Sequence, residues 1–136
     1  MRHQACANCG APGAVAFKGE TFRVSHKGLS VEVKGLSGRR CSDCAEIEFD
    51  RRSAKRYAAA GDKLVLQARA AQRSEIRRIR RQLRLSQAKA AELTGGIHNA
   101  FSRYERGEST PLPAVVNLFR LLDRHPDLLK ELTGSR

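Results

Sequence analysis

With 136 residues, 40% of them apolar, the chain can bury one moderate core, or two small ones if one has outside help. That excludes an ordinary α/β enzyme, and with five Phe, two Tyr and no Trp the cores must be built from Leu, Val, Ile and Ala. A net charge of +12 predicts a polyanionic partner, nucleic acid before membrane, because no basic amphipathic stretch backs onto a broad apolar face.

The first ten residues, MRHQACANCG, lack the apolar core of a signal peptide, and no run approaches the length of a transmembrane helix. The expected location is therefore the cytoplasm, where cysteines are poor disulfide material and their spacing carries the information. Cys6-Ala-Asn-Cys9 and Cys41-Ser-Asp-Cys44 are two C-x2-C units separated by 31 residues. Two such bites complete a tetrahedral four-sulfur site, the closed arrangement of structural zinc; iron in a rubredoxin-like site and a redox dithiol are the alternatives. Gly10, directly after Cys9, fits a knuckle turn. His3 lies near the first pair, but four sulfurs fill the tetrahedron, so it is expected at the surface. A closed site cannot activate water, and no other catalytic constellation is visible, so no enzymatic activity is expected. One zinc ion per chain would instead supply folding free energy on the order of 10 kcal/mol.

Between the cysteine pairs, TFRVSHKGLSVEVKG alternates Phe22 and Val24 with Leu29, Val31 and Val33 around the turn SHKG, a hairpin pattern. After Cys44 the pattern becomes helical. RRSAKRYAAAGDKLVLQARAAQ is Ala-rich, with Gly61 as its expected break. Residues 68–73 are expected to form a hinge or loose connection, with a continuous helix as the rival. From Ser74 onward all elements are helical, and Ile76, Ile79 and Leu83 share one face. Arginines 69, 73, 77, 78, 80, 81 and 84 cluster here beside a single acid, Glu75.

Ser86 is placed to cap a helix over QAKAAEL that ends at Gly95-Gly96, and a second helix is expected from about Ile97 to Gly107. On that helix Asn99, Ser102, Arg103 and Arg106 share one face, and Ile97, Phe101 and Tyr104 the other. A further helix starts near Pro113, and AVVNLFRLLDRH and PDLLKEL complete the chain. Helix, tight turn and polar-faced helix is the helix-turn-helix plan, whose second helix enters the major groove. Asn pairs bidentately with adenine and Arg with guanine, so Asn99 and Arg103 are the expected base readers. Gln87 is expected at a phosphate or base edge, and the arginines of residues 69–84, Arg77 and Arg81 among them, on phosphates. Such modules work in two-fold pairs, and spare apolar surface on AVVNLFRLL and PDLLKEL is the expected dimer interface.

These residues resemble a known family. SQAKAAEL, GGIHNAFSRYERGE and LFRLLDRHPDLLKEL look like the Xre-type DNA-binding domain of the MqsA antitoxins, and CANCG…TFRVSHKGLSVEVKGLSGRRCSDC is similar to their YgiT-type zinc-binding domain. The resemblance covers nearly the full chain. It implies an α+β architecture: a small zinc-bound β-hairpin domain with a trailing helix over residues 1–70, then an all-α helix-turn-helix domain of the Xre/lambda-repressor-like kind over residues 71–136. It also implies a dimeric repressor of its own operon, bound to a palindromic double-stranded operator, whose zinc domain neutralises a ribonuclease toxin encoded beside it. The family's zinc cysteines match Cys6, Cys9, Cys41 and Cys44, and its base-reading residues match Asn99 and Arg103. His98 departs from the pattern, a hydrophobic or small residue being usual there. The alternative reading is a freestanding zinc-containing helix-turn-helix regulator without a toxin, and a third is a redox protein whose cysteines cycle.

Overall fold

The structure, a computed structural model, describes residues 5–134, so His3 lies outside the described residues. They divide into two compact units, one through Ala68 and one from Arg69. In the first, strands β1 (Ala14–His26) and β2 (Leu29–Cys41) form the hairpin, and a short third strand, β3 (Ile47–Phe49), pairs antiparallel with β2. The hairpin was legible, but β3 was not: three residues carry too little alternation to stand out in a sequence.

The loop is two residues, Lys27 and Gly28, with φ of 46° and 81°. Both central residues at positive φ is the turn whose twist matches that of the flanking strands. The ladder then steps from Phe17↔Gly38 to Glu20↔Leu36 to Phe22↔Val33, so β1 carries one extra residue and then β2 does. The two bulges sit at Gly19 and Gly35, both at positive φ, and they cancel. Register is thereby restored, and Val24, Val33 and Leu36 all reach one core with Leu64. Phe22, Phe49 and Tyr57 pack against that core.

Leu64 comes from α1 (Arg51–Gln82), which runs without interruption through Gly61 and through residues 68–73. The expected break and the expected hinge are both absent. Ala-rich sequence propagates a helix well, and one glycine costs only about 1 kcal/mol, which helix packing readily overrides. The helix is started by Asp50, whose carboxylate accepts from the Ser53 N–H at 2.7 Å, and the buried Ser53 hydroxyl accepts from the Ser37 N–H of β2.

In the second unit α1 is followed by α2 (Gln87–Leu93), α3 (Ala100–Arg106), α4 (Pro113–Arg124), a 3-10 turn (Pro126–Leu128) and α5 (Leu129–Leu132). Ser86 caps α2 as expected, accepting from the Lys89 N–H at 3.0 Å. Gly107 closes α3 at φ 79°, and Pro113 opens α4. The core is Ile76 and Ile79 of α1 with Ala90, Ala91, Phe101, Val116 and Phe119. No helix of the described residues is long and apolar enough to cross a membrane.

Candidate metal centre and nucleic-acid interface

Each C-x2-C pair sits in the same backbone turn. The Gly10 N–H donates to the Cys6 carbonyl at 2.8 Å and the Ala45 N–H to the Cys41 carbonyl at 3.1 Å. The Cys6 N–H reaches Ala11 and the Cys41 N–H reaches Glu46, both at 2.8 Å. Gly10 and Ala45 occupy equivalent places at φ 76° and 61°. The turns bring four thiols together: Cys6 Sγ lies 3.7 Å from Cys44 Sγ, and Cys9 Sγ 3.6 Å from Cys41 Sγ. All four ligand atoms fall within 4.8 Å of one another. A tetrahedron with metal–sulfur bonds of about 2.3 Å has edges of about 3.8 Å, so this set is positioned to bind one metal ion.

The protons on these thiols are unevenly held. The Asn8 amide, 3.5 Å from Cys44 Sγ, and then the Glu46 backbone N–H bring the Cys44 thiol down to about 6. At Cys9 the Ala11 N–H lowers the pKa, but hydrogen bonding with Cys44, desolvation, and the Cys41 and Cys6 thiols together push it up to about 12. The Cys44 thiolate is thus favoured at neutral pH, and a bound cation would have to displace the proton held at Cys9.

The second site lies on α3 and the turn before it. The helix begins at Ala100, three residues later than expected, with Asn99 at its N-cap position. Asn99 makes no side-chain cap hydrogen bond there, and it is exposed. Ile97 is a correction: the periodicity placed it in the core with Phe101 and Tyr104, yet it precedes the helix and is 62% exposed. Ser102 and Arg103 are half-buried and Arg106 is exposed, with its guanidinium 3.3 Å from Glu108. Among the described residues, Arg77, Arg81 and Arg103 take part in none of the ion pairs.

The arginine cluster is therefore not uniform: Arg77, Arg81 and Arg84 are exposed, and the other four are placed differently. Arg80 Nε donates to Glu105 at 2.6 Å with both side chains nearly buried (11% and 5% exposed), and Arg80 Nη1 donates to the Leu85 carbonyl at 2.8 Å. Gln87 donates its amide to the same Glu105. This network ties α1, α2 and α3 together, and it engages a Gln87 side chain that the sequence had offered to DNA. Arg78 pairs with Asp123 at 2.9 Å, and Glu75 pairs with Arg120 of α4 at 2.9 Å. Those two pairs hold the Asp123 and Glu75 carboxyls below the ordinary carboxylate range, chiefly through the guanidinium hydrogen bonds. Arg78 and Arg80 are thus bound within the unit, contrary to the expectation that the whole cluster faces phosphates. Arg69 and Arg73 instead line a recess of about 160 Å³ with Gln72, Glu108, Ser109 and Thr110. A Cβ at Gly107 would collide with the Arg73 guanidinium. Sequence alone gives no signal for this sorting, because the carboxylates that claim Arg78 and Arg80 lie 45 and 25 residues away.

The profile of the family described as "Antitoxin component of bacterial toxin-antitoxin system, MqsA" matches residues 4–133. Antitoxin MqsA of Escherichia coli (strain K12) is 36% identical over 118 residues, which cover 82% of this chain and 84% of that protein. A four-thiol cluster on a β-hairpin, a helical second unit, and a match that spans both lead to one assignment: the chain belongs to the MqsA family of antitoxins.

Proposed function

We propose that this antitoxin neutralises a cognate ribonuclease toxin through its cysteine-bearing unit and represses its own operon by binding a palindromic operator as a homodimer. The metal is zinc, one per chain, held by Cys6, Cys9, Cys41 and Cys44; four sulfurs saturate a tetrahedral ion, so it stabilises the hairpin and performs no chemistry. Asn99 and Arg103 read adenine and guanine edges, Ser102 and Arg106 flank them, and Arg77 and Arg81 hold phosphates. Gln87 anchors Glu105 beneath α3 and reaches a phosphate only through the amide atoms it leaves free.

The observation that carries this reading is the pairing pattern on the second unit. Arg78, Arg80 and Arg120 are neutralised by carboxylates and Arg106 pairs with Glu108, while among the described residues Arg77, Arg81 and Arg103, like Arg69, Arg73, Arg84 and Arg124, take part in no ion pair, which supports a role for them toward an external anion or base. Binding curves on operator and scrambled duplexes at two salt concentrations test it. Asn99→Ala or Arg103→Ala costs roughly 1–3 kcal/mol per half-site on the operator and almost nothing on scrambled DNA. Arg77→Ala or Arg81→Ala weakens both duplexes alike and lowers the salt slope by about one. An unchanged specificity ratio for Arg103→Ala would overturn the base-reading role. For the other arm, the toxin encoded beside this chain copurifies with it on coexpression, and its ribonuclease activity is suppressed in that complex.

A further inference from the structure

Ile97 has an apolar side chain that the sequence pattern places in the core and the structure leaves outside it. Its carbonyl accepts from the Ala100 N–H at 2.9 Å, which fixes it in the turn that opens α3, two residues before Asn99. A Cβ at Gly96, itself exposed, would stand 3.3 Å from the Ala100 Cβ, so the backbone just before Ile97 runs close to the start of α3. Its branched apolar side chain is left 62% exposed, between Gly96 and the exposed His98 and Asn99. An isolated exposed apolar residue is ordinary on a protein surface. This one lies where the second helix of a helix-turn-helix meets base edges, at its N-terminal end.

Among the groups that base pairs present in the major groove, the one apolar feature is the 5-methyl of thymine. We propose that Ile97 reads a thymine methyl beside the base contacted by Asn99, adding an apolar contact to the polar readout. This rests on the DNA-reading role of α3 proposed above. Burying one methyl group against Ile97 is worth roughly fourfold in affinity per half-site.

The test uses full-length, metal-loaded protein and the tightest duplex selected from a random pool, with each thymine replaced in turn by deoxyuridine, which lacks only the methyl. Wild type loses roughly fourfold at one thymine per half-site and is indifferent at the others. Ile97→Ala binds the unmodified duplex more weakly by a similar factor and no longer distinguishes thymine from uracil there. Asn99→Ala loses selectivity at its own base yet keeps the response to demethylation. If wild type prefers the selected duplex but ignores demethylation at every thymine, or if Ile97→Ala still responds at the same position, the thymine contact is overturned while base reading by Asn99 and Arg103 stands. If no duplex is preferred over scrambled DNA, both readings fall. An unchanged thermal midpoint for Ile97→Ala, expected from its exposure, separates lost binding from lost folding.

Discussion

At position 45 the chain places an alanine where its own other knuckle uses glycine. Gly10 and Ala45 follow the second cysteine of each pair with φ of 76° and 61° and make the same hydrogen bond back to the first cysteine. A Cβ in the left-handed region costs about 1–2 kcal/mol, and glycine's extra unfolded freedom returns about half of that. Ala45→Gly should therefore stabilise the metal-loaded hairpin by about 0.5–1 kcal/mol, and Gly10→Ala should destabilise it by a similar amount. Hydrogen exchange of the β1 and β2 amides measures both, and a loss of protection in Ala45→Gly would contradict the argument. The same scale distinguishes the arginines. Arg80 works inside the unit, where removal of Glu105 would strand a nearly buried charge, while Arg77 and Arg81 face outward on the same helix.

Three of the contacts that begin and brace the helices depend on ionised carboxylates. Asp50 caps α1 and is held below the ordinary carboxylate range by the Ser53 backbone and side-chain hydrogen bonds; Glu75 and Asp123 are lowered by their arginine partners. A carboxyl whose folded pKa is depressed contributes stability that is full above the unfolded value and is lost as pH falls through the folded one. The share of the thermal midpoint that these three carboxylates supply, read as the difference between wild type and variant, should thus hold level from neutral pH down to the unfolded carboxylate range, near 4, and fall below it. Asp50→Asn keeps an oxygen acceptor for the cap but removes the titration, so its curve should be flatter on the acid side. A parallel curve would mean that the cap carbonyl of Asp50, not its charge, starts the helix. Gly61 belongs to this scale as well. The nearest atom to its hypothetical Cβ is Val24 Cγ1 at 3.9 Å, ordinary contact, so α1 passes through it without any need for glycine.

For the molecule as a whole, two disjoint cores mean that losing one need not lose the other. Val24, Val33, Leu36 and Leu64 form the first, and Ile76, Ile79, Phe101, Val116 and Phe119 stand in the second. The first is small, and a structural zinc ion bound at its four cysteines would supply on the order of 10 kcal/mol. Chelation should therefore abolish the protection of β1 and β2 and leave the amides of α2, α3 and α4 protected. On AVVNLFRLL the structure buries Val116, Phe119 and Leu122, so the spare apolar surface is narrower than the sequence promised: Leu121 and Leu132 remain 49% and 46% exposed. If these form the two-fold contact, light scattering at tens of micromolar should report a dimer before and after chelation, and Leu121→Glu should give a monomer. A wild-type monomer at that concentration would count against the proposed assembly.

Local chemistry was written plainly in the chain. Paired cysteines at C-x2-C spacing, the Ser86 cap, the Gly107 stop and Pro113 at a helix start all act through neighbours a few residues away, and each is found where the sequence put it; the hairpin is found too, though its strands extend through Ser25 and His26, leaving only Lys27-Gly28 as the loop, and Val31 is 40% exposed. The resemblance carried by the longer motifs extended that to the family. What the tertiary structure decided depends on partners distant in sequence. Residues 68–73 are helical because the Ala-rich run propagates through them and α1 has core residues on either side, Leu64 before and Ile76 and Ile79 after, the second of which no local propensity reports. The three-residue β3 exists because β2 offers it a ladder. Ile97 is outside because α3 starts only at Ala100, which leaves it in the preceding turn, and Asp123 and Glu105, acids that periodicity cannot assign to a partner, decided that Arg78 and Arg80 are held within the unit.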